Sequence, residues 1–344
     1  MKIGLLTYHH SCNYGAILQS YATARVLQEL GHSVEFINIQ QPERKSIIGW
    51  AYYFRQKHFN RFMAKNYPRE TSLIKTVEDL KSLKIDYDCI MVGSDQTWNP
   101  IISKDKYQAY FLNFGPSDIK RLSYASSFGF DYWPESFNSI KEDVYEYLKR
   151  FDSISVRETS AAKLLKDEFN LDSTVVADPT MLLSSYEDIV GIVKPHNNIV
   201  CYFLNRTNEQ FEFARRLGKE QGKKPVLLNS ILPTRGFSYL YPPSIEKWIQ
   251  GIGGADCVVT DSFHGVVFSI LQNTNFIVVA PNVSRMCRLY DLMKTLGIEN
   301  RYFTDANKAF ESKVWEKPIN WDEINKRVLS MRIESLNFLK NNLP

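Results

Sequence analysis

The segment 258–265 of this chain combines a short apolar run with a polar turn that contains one histidine. The apolar run predicts a buried strand, and the segment 265–271 predicts a helix that follows it. Asp261 or Ser262 can cap that helix, so that its first backbone N–H groups point at whatever lies beside His264. A strand end that opens onto a helix N-terminus, with a titratable side chain in the turn, suits an anionic ligand such as a phosphate. In the alternative interpretation, His264 only holds a tight turn together.

The loop 9–15 follows the first predicted strand and precedes a helix. Asn13 and Gly15 permit tight backbone geometry there and allow a ligand to approach the main chain closely. The loop does not contain the pattern G-x-G-x-x-G, so it does not predict a dinucleotide.

The loop 93–99 directly follows another apolar strand and contains an acid, an amide and an indole. Trp98 can stack on the apolar face of a pyranose, and Asp95 can accept a proton from a sugar hydroxyl. With Gln96 between them, these residues predict a sugar-binding or catalytic surface.

Two further predicted strands end at charged side chains, Arg157 and Asp178. Arg157 enters a helix, where it can bind a carboxylate or a phosphate through two parallel hydrogen bonds. A structural pair with Glu158, or a helix-capping role, is an equally good interpretation of that spacing. Asp178 precedes a proline that ends the strand, which predicts a structural turn; in the alternative, Asp178 faces the ligand.

These loops are positioned by an alternation of strands and helices along nearly the whole chain. The predicted strands are 2–7, 34–39, 87–92, 122–125, 153–156, 174–177, 199–204, 225–228, 256–260 and 276–279. Such alternation predicts parallel sheets covered by helices on both faces. We expect an α/β protein with two Rossmann-like parallel-sheet domains facing a cleft, because ligands bind beyond the carboxyl ends of such strands.

The cycle of strands restarts after Pro179, and 344 residues are enough for two domains with separate cores. We expect an N-terminal domain at 1–182 with a helical insertion at 43–75, and a C-terminal domain at 183–320. The final helix, within 321–344, is expected to pack back on the N-terminal domain.

Residues 43–69 depart from the alternation because they are rich in Arg, Lys and aromatic residues. This composition predicts one or two helices that form either a lid over the ligand or a contact with a membrane surface. The alternative is an ordinary amphipathic helix whose long cations lie along apolar surface.

The composition is that of a globular protein, since 44% of the residues are hydrophobic and 23% are charged, which excludes extensive disorder. The net charge of +4 is too small to predict nucleic-acid binding, and no apolar stretch predicts a transmembrane helix. The five cysteines occur singly, and no group of His, Cys and carboxylate residues has metal-ligand spacing. We therefore expect a reduced, cytoplasmic protein that needs neither a metal nor another cofactor.

Five short motifs, taken in order, resemble the polysaccharide pyruvyl transferase family along nearly the whole chain. They are Asn13-Tyr14-Gly15-Ala16 with Leu18-Gln19, Gly93-Ser94-Asp95-Gln96 with Trp98, Val156-Arg157-Glu158, Asp178-Pro179 and Thr260-Asp261-Ser262-Phe263-His264-Gly265. Each motif alone is weak, but five in order at predicted strand ends are fairly specific.

The resemblance implies a fold like that of the GT-B glycosyltransferases. It also implies an enzyme that moves pyruvate from phosphoenolpyruvate onto two hydroxyls of a sugar, as a cyclic ketal. His264 and Arg157 would be catalytic residues at the phosphoenolpyruvate site, and Asp95 a catalytic residue on the N-terminal, acceptor-side domain, with the C-terminal domain on the donor side. The implied donor-site residues further include Ser262, Phe263 and Gly265, to which we add Arg285 and Arg288 of this chain. The implied acceptor-site residues are Asn13, Tyr14, Gly15, Gln96 and Trp98.

One position departs from the family pattern. Many members have an arginine two residues before the histidine, where this chain has Ser262. One expected cation is therefore missing, and Arg285 and Arg288 on the next predicted helix are the best substitutes.

The sequence alone is also compatible with two other functions. A GT-B-type glycosyltransferase with a nucleotide-sugar donor would keep the fold, and a sugar- or anion-binding protein without catalysis would suit the missing arginine. For pyruvyl transfer, the expected acceptor is a sugar or a lipid-linked glycan of surface polysaccharide biosynthesis, such as an exopolysaccharide or a capsule. Peripheral contact with the inner face of the membrane is open as well, and the sequence predicts no oligomeric state.

Overall fold

The computed structural model of the protein describes residues 1–40, 49–230, 233–239, 243–281 and 287–344, without the side chains of 49–55, 239 and 287. The start of the basic aromatic segment, residues 43–48, and Arg285 therefore lie outside the described residues. The chain divides into two compact units. Unit 1 consists of Met1–Lys45, Met63–Leu183 and Ser330–Pro344, and unit 2 consists of Ser46–Phe62 and Ser184–Leu329.

Strands and helices alternate in unit 1, as the sequence predicts. The strands are β1 (Lys2–Leu6), β2 (Ser33–Phe36), β3 (Cys89–Val92), β4 (Lys120–Ser123), β5 (Ser155–Val156) and β6 (Thr174–Val175). The helices up to this point are α1 (Tyr14–Glu29), α2 (Gly49–Asn66), α3 (Val77–Lys81), α4 (Pro100–Ser103), α5 (Tyr107–Tyr110), α6 (Lys141–Leu148) and α7 (Thr159–Phe169). Of these, α2 has residues in both units.

The strands of unit 1 pair in parallel. Four of them form a sheet in the order β2-β1-β3-β4, and β5 pairs with β6. Single bridges from Leu122 to Ser153 and from Ser126 to Val156 continue the parallel arrangement from β4 to β5. Because parallel strands end at the same edge of a sheet, the loops after β1, β3, β4 and β5 begin close together.

Unit 2 contains a second set of parallel strands. They are β7 (Ile199–Tyr202), β8 (Val226–Leu227), β9 (Ser238–Tyr239), β10 (Cys257–Thr260), β11 (Phe276–Val279) and β12 (Tyr302–Phe303), in the sheet order β12-β11-β10-β7-β8-β9. The helices that follow α7 are α8 (Glu187–Val190), α9 (Asn208–Glu220), α10 (Ile245–Gly253), α11 (Phe263–Leu271), α12 (Cys287–Leu296), α13 (Ala306–Ser312) and α14 (Trp321–Asn342). The last of them, α14, has residues in both units.

The central strands of unit 2 are buried along their whole length. Every residue of β7, β10 and β11 is buried, which matches their continuous apolar sequences. Such strands are typical of parallel sheets covered by helices on both faces. The predicted α/β class with parallel sheets is therefore confirmed.

Some details of the sheets differ from the prediction. The strands β9 and β12 are not predicted from the sequence, because two residues are too short to carry a periodic pattern. The predicted strand 34–39 ends as β2 at Phe36, and beyond it Ile39 forms a single bridge to Ile74. Among the described residues, no helix is long and apolar enough to span a membrane.

Candidate functional site

The loop after β1 leads into the capped start of α1. Oδ1 of Asn13 accepts hydrogen bonds from the backbone N–H groups of Gly15, at 2.9 Å, and Ala16, at 3.3 Å. Asn13 thus accepts from two of the backbone N–H groups that have no partner within the first turn of a helix. Tyr14 is fully buried and belongs to the core of unit 1. The Asn13-Tyr14-Gly15 motif therefore has a structural role: it caps α1 and anchors its first turn in the core.

Asp95 lies in the loop after β3 in an unusual backbone conformation. Its φ angle is +76°, a region that residues other than glycine seldom adopt. Oδ1 of Asp95 accepts a hydrogen bond from the backbone N–H of Gln96 at 2.9 Å. The side chain is 22% exposed, so this carboxylate is accessible in part. Strained backbone at a partly exposed carboxylate is a feature that functional sites often share.

Gln96 is held by its neighbours in the same loop. Its Oε1 accepts a hydrogen bond from Nδ2 of Asn99 at 2.7 Å. Gly129, with a φ angle of +77°, lies so close that a Cβ atom there would be 2.2 Å from Oε1 of Gln96. Only glycine fits this position, because a side chain would both collide with Gln96 and strain the backbone.

Trp98 corrects one expectation of the sequence analysis. The indole is fully buried, its Nε1 donates a hydrogen bond to the carbonyl oxygen of Tyr110 at 3.0 Å, and its ring stacks on Phe111 with centroids 5.6 Å apart. A fully buried ring cannot also stack on a sugar, so the predicted contact between Trp98 and a pyranose is wrong. Trp98 instead anchors the loop 93–99 to the core beneath it.

Arg157 lies at the end of β5 among three carboxylates. Its Nη1 donates a hydrogen bond to Oδ2 of Asp178 at 2.8 Å, its Nη2 lies 3.6 Å from Oδ1 of Asp95, and its Nε lies 3.9 Å from Oε2 of Glu158. The side chains of Arg157, Glu158 and Asp178 are at most 1% exposed. Burial alone would lower the pKa of Arg157, but the charges of Asp178, Asp95 and Glu158 outweigh it and the pKa is raised. We call these four residues the Arg157 cluster.

Hydroxyl and backbone N–H groups of nearby residues donate further hydrogen bonds to the carboxylates of the Arg157 cluster. Oγ of Ser127 donates to Oε1 of Glu158 at 2.5 Å, and Oγ of Ser94 donates to Oδ2 of Asp178 at 3.3 Å. Oδ1 of Asp178 accepts from the backbone N–H of Thr180 at 3.0 Å. Three carboxylates surround one guanidinium, so the cluster carries an excess of negative charge. A further anion such as a phosphate is therefore poorly placed at this guanidinium, which differs from the role that the resemblance implies for Arg157.

In unit 2, Asp261 joins the ends of two neighbouring strands. Its carboxylate accepts hydrogen bonds from the backbone N–H groups of Leu204, at 2.6 Å, and Asn205, at 2.8 Å, shortly after β7. The hydroxyl of Thr260, at the end of β10, donates to the carbonyl oxygen of Tyr202 at 2.6 Å. Burial raises the pKa of Asp261, although the two backbone hydrogen bonds oppose that shift. Asp261 therefore holds the loop 204–205 in place.

Ser262 caps α11, and His264 lies in the first turn of this helix. Oγ of Ser262 accepts a hydrogen bond from the backbone N–H of Gly265 at 3.3 Å. A Cβ atom on Gly265 would lie 2.5 Å from Oγ1 of Thr260, so the tight turn requires glycine. His264 is 9% exposed, and its ring meets that of Phe263 edge to face, with centroids 5.2 Å apart. The predicted strand, polar turn and helix N-terminus thus occur together around His264.

The expected substitutes for the missing arginine are only partly described. Arg285 lies outside the described residues, and Arg288 is half-buried in the first turn of α12. Of the two candidate arginines, Arg288 is therefore the one that the structure places, at the start of α12.

The structure brings together one cluster that the sequence analysis does not predict. His9 and His10, in the loop after β1, lie beside Glu70: Nε2 of His9 is 3.4 Å and Nε2 of His10 is 2.7 Å from Oε2 of Glu70. Burial lowers the pKa of His9, and the interaction with His9 lowers the pKa of Glu70 to about 2. The adjacent histidines are evident in the sequence, but Glu70 is distant along the chain and no spacing rule connects it to them.

One protein-family model matches residues of both units. The family model described as polysaccharide pyruvyl transferase matches residues 13–282, well over half of the chain. The comparison with curated proteins gives no significant match.

Solved structures with similar folds are GT-B-type glycosyltransferases and epimerases. The UDP-GlcNAc 2-epimerase from Neisseria meningitidis, bound to UDP-GlcNAc, is 10% identical with a TM-score of 0.59, over 98% of this chain and 100% of that chain. An alpha-glucosyltransferase in complex with UDP and DNA is 12% identical with a TM-score of 0.54, over 98% of this chain and 95% of that chain. The MnaA protein of S. aureus with UDP is 12% identical with a TM-score of 0.55, over 97% and 91%. The GT-B-like fold class is thereby confirmed; identities this low concern the fold alone.

Proposed function

Because the chain belongs to the polysaccharide pyruvyl transferase family, we propose that this transferase moves pyruvate from phosphoenolpyruvate to two hydroxyls of a sugar, forming a cyclic ketal. The acceptor is a sugar or a lipid-linked glycan of surface polysaccharide biosynthesis, and the reaction takes place in the cytoplasm. The observation that carries the proposal is the family match, which includes the loops of unit 1 and the His264 turn of unit 2.

We assign the donor to unit 2. Phosphoenolpyruvate is a dense anion, and the backbone N–H groups at the start of α11 are a favourable partner for negative charge. Ser262 fixes the start of that helix, and His264 lies in its first turn. Arg288, in the first turn of α12, supplies positive charge in the same unit. His264 is the proposed acid, because an imidazole can deliver a proton at neutral pH.

We assign the acceptor to unit 1. Asp95 is the proposed base, because its carboxylate is 22% exposed whereas the other carboxylates of the Arg157 cluster are buried. Nη2 of Arg157 lies 3.6 Å from Oδ1 of Asp95. Arg157 is therefore a positioning residue in this proposal: it acts on the sugar only through Asp95. Gln96, half-buried next to Asp95, is the proposed second contact to the acceptor.

The proposed steps conserve atoms and charge. His264 donates a proton to the methylene carbon of phosphoenolpyruvate, which leaves C2 electrophilic. A sugar hydroxyl attacks C2 and gives its proton to Asp95, and phosphate leaves with its bonding electrons. A second hydroxyl then attacks C2 and gives its proton to the departing phosphate. Proton exchange with water returns Asp95 and His264 to their starting states. The products are the ketal and inorganic phosphate. Preorganised N–H donors at α11 would stabilise the departing phosphate.

Thermal unfolding with candidate donors tests the proposal without a known acceptor. A ligand that binds only the native state raises the melting temperature; at 100 times its Kd, it adds about 2.7 kcal/mol to the free energy of unfolding. We expect phosphoenolpyruvate to raise the melting temperature of the wild type and of the control His58→Ala, but not of His264→Ala. A rise that persists unchanged in His264→Ala would contradict the assignment of the donor site.

A nucleotide-sugar donor is the second candidate, because the solved structures named above include complexes with UDP and with UDP-GlcNAc. The same thermal experiment distinguishes the two. A rise with UDP-GlcNAc or another nucleotide sugar, and none with phosphoenolpyruvate, would replace pyruvyl transfer by glycosyl transfer. A rise with phosphoenolpyruvate followed by phosphate release on addition of a sugar acceptor would support pyruvyl transfer.

A further inference from the structure

We propose that His9, His10 and Glu70 form a binding site for a divalent transition-metal ion of the zinc class in unit 1. The nitrogen and oxygen atoms that these three side chains can offer to a metal all lie within 4.8 Å of one another. The two histidines follow β1, and Glu70 is brought to them by a backbone bridge to Phe36 at the end of β2. The fold thus brings together two potential ligands that are adjacent in the sequence and a third that is 60 residues away.

The orientation of the His9 ring favours a metal at its Nε2 atom. Nδ1 of His9 lies 3.0 Å from the carbonyl oxygen of Thr7, which can only accept, so Nδ1 carries the proton and Nε2 carries the lone pair. A hydrogen bond of this kind at the other ring nitrogen is usual for histidines that bind metals. Nε2 is buried, and its contact with Oε2 of Glu70, at 3.4 Å, is too long and too poorly aligned to be a good hydrogen bond.

Packing holds the His9 ring in this orientation. The imidazole is 1% exposed and stacks on Phe36, with centroids 4.5 Å apart and planes 7° apart. The hydroxyl of Tyr67 donates to the carbonyl oxygen of Ile17 at 3.0 Å, and the Tyr67 ring packs near the same imidazole. A buried polar atom without a partner costs free energy, and a metal ion at Nε2 would remove that cost.

The distances suit a tetrahedral ion after one small movement. Zinc bonds of about 2.0–2.2 Å to nitrogen and oxygen place two ligand atoms roughly 3.3–3.6 Å apart. Nε2 of His9 and Oε2 of Glu70 are already 3.4 Å apart. Nε2 of His10 donates a hydrogen bond to Oε2 of Glu70 at 2.7 Å, so the metal would replace that proton and the ring would move outward. His10 is 38% exposed, which permits the movement and provides a route for the ion.

The ligand set indicates the class of the ion. Two imidazoles and one carboxylate suit zinc, cobalt or nickel, whereas magnesium and calcium prefer oxygen ligands alone. Three protein ligands leave at least one coordination position for water, as in zinc sites that are not purely structural. The site would also fasten the loop after β1 to residue 70, and so order the segment that leads to α1.

The test is metal binding by the full-length protein after removal of any affinity tag and treatment with a chelator. Co²⁺ is the probe, because its visible absorption reports four- or five-coordinate binding, and Zn²⁺ is then added as competitor. The test variants are His10→Gln and Glu70→Gln, and the matched controls are His58→Gln and Glu29→Gln. Thermal unfolding of each variant verifies that it folds; exposure of His10 and Glu70 makes folding of the test variants the expected result.

We expect the wild type and both controls to bind one Co²⁺ per chain, displaced by Zn²⁺ but not by Mg²⁺. Removal of a single supporting group near a metal weakens binding by 10–100-fold, so loss of a direct ligand should weaken it by about 100-fold or more. Absence of saturable Co²⁺ binding in the wild type would overturn the proposal and leave a hydrogen-bonded cluster. Equal binding by Glu70→Gln, His10→Gln and the controls, or displacement by Mg²⁺, would overturn it as well.

Discussion

Arg157 and Asp178 form the shortest ion pair of the Arg157 cluster, with 2.8 Å between Nη1 and Oδ2 and with both side chains excluded from solvent. The pair links the end of β5 to the turn that follows β6. Asp178 also caps that turn through the backbone N–H of Thr180. In a buried ion pair, each charge is stabilised mainly by its partner, because neither charge is solvated by water.

Asp178→Asn should destabilise unit 1 strongly. The substitution removes the nearest carboxylate from a buried guanidinium, and breaking a buried pair in this way costs about 3–5 kcal/mol. Asp95 and Glu158 still compensate the guanidinium charge, so we expect the lower end of that range. Urea-induced unfolding measures the change in free energy. The matched control is Asp172→Asn, which breaks the pair with Lys166 where the Asp172 side chain is 91% exposed, and should cost about 0–1 kcal/mol. Equal free energies of unfolding for the two variants would contradict the structural role of the pair.

Arg157→Lys should retain the thermal response to phosphoenolpyruvate that His264→Ala loses. Lysine keeps the positive charge but not the fork of donors that reaches Asp178 and Asp95, so the variant should unfold at a lower temperature and catalyse more slowly. Its donor site in unit 2 should be intact. The rise in melting temperature with phosphoenolpyruvate, relative to each variant alone, is the measurement.

Asp95→Asn is the companion variant for the same question, because Asp95 is partly exposed and its loss leaves the buried pair of Arg157 and Asp178 in place. In this variant too, phosphoenolpyruvate should raise the melting temperature. Loss of that response in Arg157→Lys but not in Asp95→Asn would return Arg157 to the phosphate site.

Much of the architecture can be predicted from the sequence because strands buried on both faces are continuous apolar runs. The run at β10 and the polar turn after it are local patterns, and they suffice to identify the helix N-terminus at His264. The capping choice is harder: Ser262 and Asp261 are equally good caps by type. The structure shows that β7 lies beside β10. For this reason the Asp261 carboxylate accepts hydrogen bonds from the backbone N–H groups of Leu204 and Asn205 and does not cap the helix.

The residues that sequence reasoning misplaces are those whose burial depends on distant parts of the chain. Trp98 follows a strand end and is therefore expected at a surface, but Phe111 and the carbonyl of Tyr110 cover it. The cluster of His9, His10 and Glu70 cannot be predicted for the same reason, since a bridge at the end of β2 brings residue 70 to the end of β1. Long-range pairing of this kind leaves no local periodicity.

Gly129→Ala should disturb the loop that carries Asp95 and Gln96. The added Cβ would lie 2.2 Å from Oε1 of Gln96, in addition to the strain of alanine at a φ angle of +77°. The control is Gly31→Ala, where φ is +90° and nothing lies within 4 Å of an added Cβ. The control should lose about 1 kcal/mol or somewhat more from strain alone, and Gly129→Ala should lose clearly more. Equal losses in urea-induced unfolding would show that Gln96 moves away without cost.

The described cysteines should differ sharply in reactivity. Cys12 is half-buried, whereas Cys89, Cys201 and Cys257 are buried. Burial raises the pKa of Cys89 and of Cys257 to about 12 and also raises that of Cys201, so almost none of these thiols is ionised near neutral pH. Because the thiolate is the reactive species, a disulfide reagent at pH 8 should label one thiol in native Cys287→Ser protein and four after unfolding in guanidinium.

Cys12→Ser in the same background is the control for that labelling, and its native form should react with no thiol equivalent on the same time scale. The pH dependence has a definite sign. Unfolded thiols have a pKa of about 8.5, well below the folded pKa of about 12 for Cys89 and Cys257, so rising pH favours the unfolded state above about pH 8.5. Native labelling of the buried thiols should therefore begin only as the protein loses stability in alkali. Rapid labelling of two or more thiols in native Cys287→Ser protein at pH 8 would contradict the burial of β3, β7 and β10.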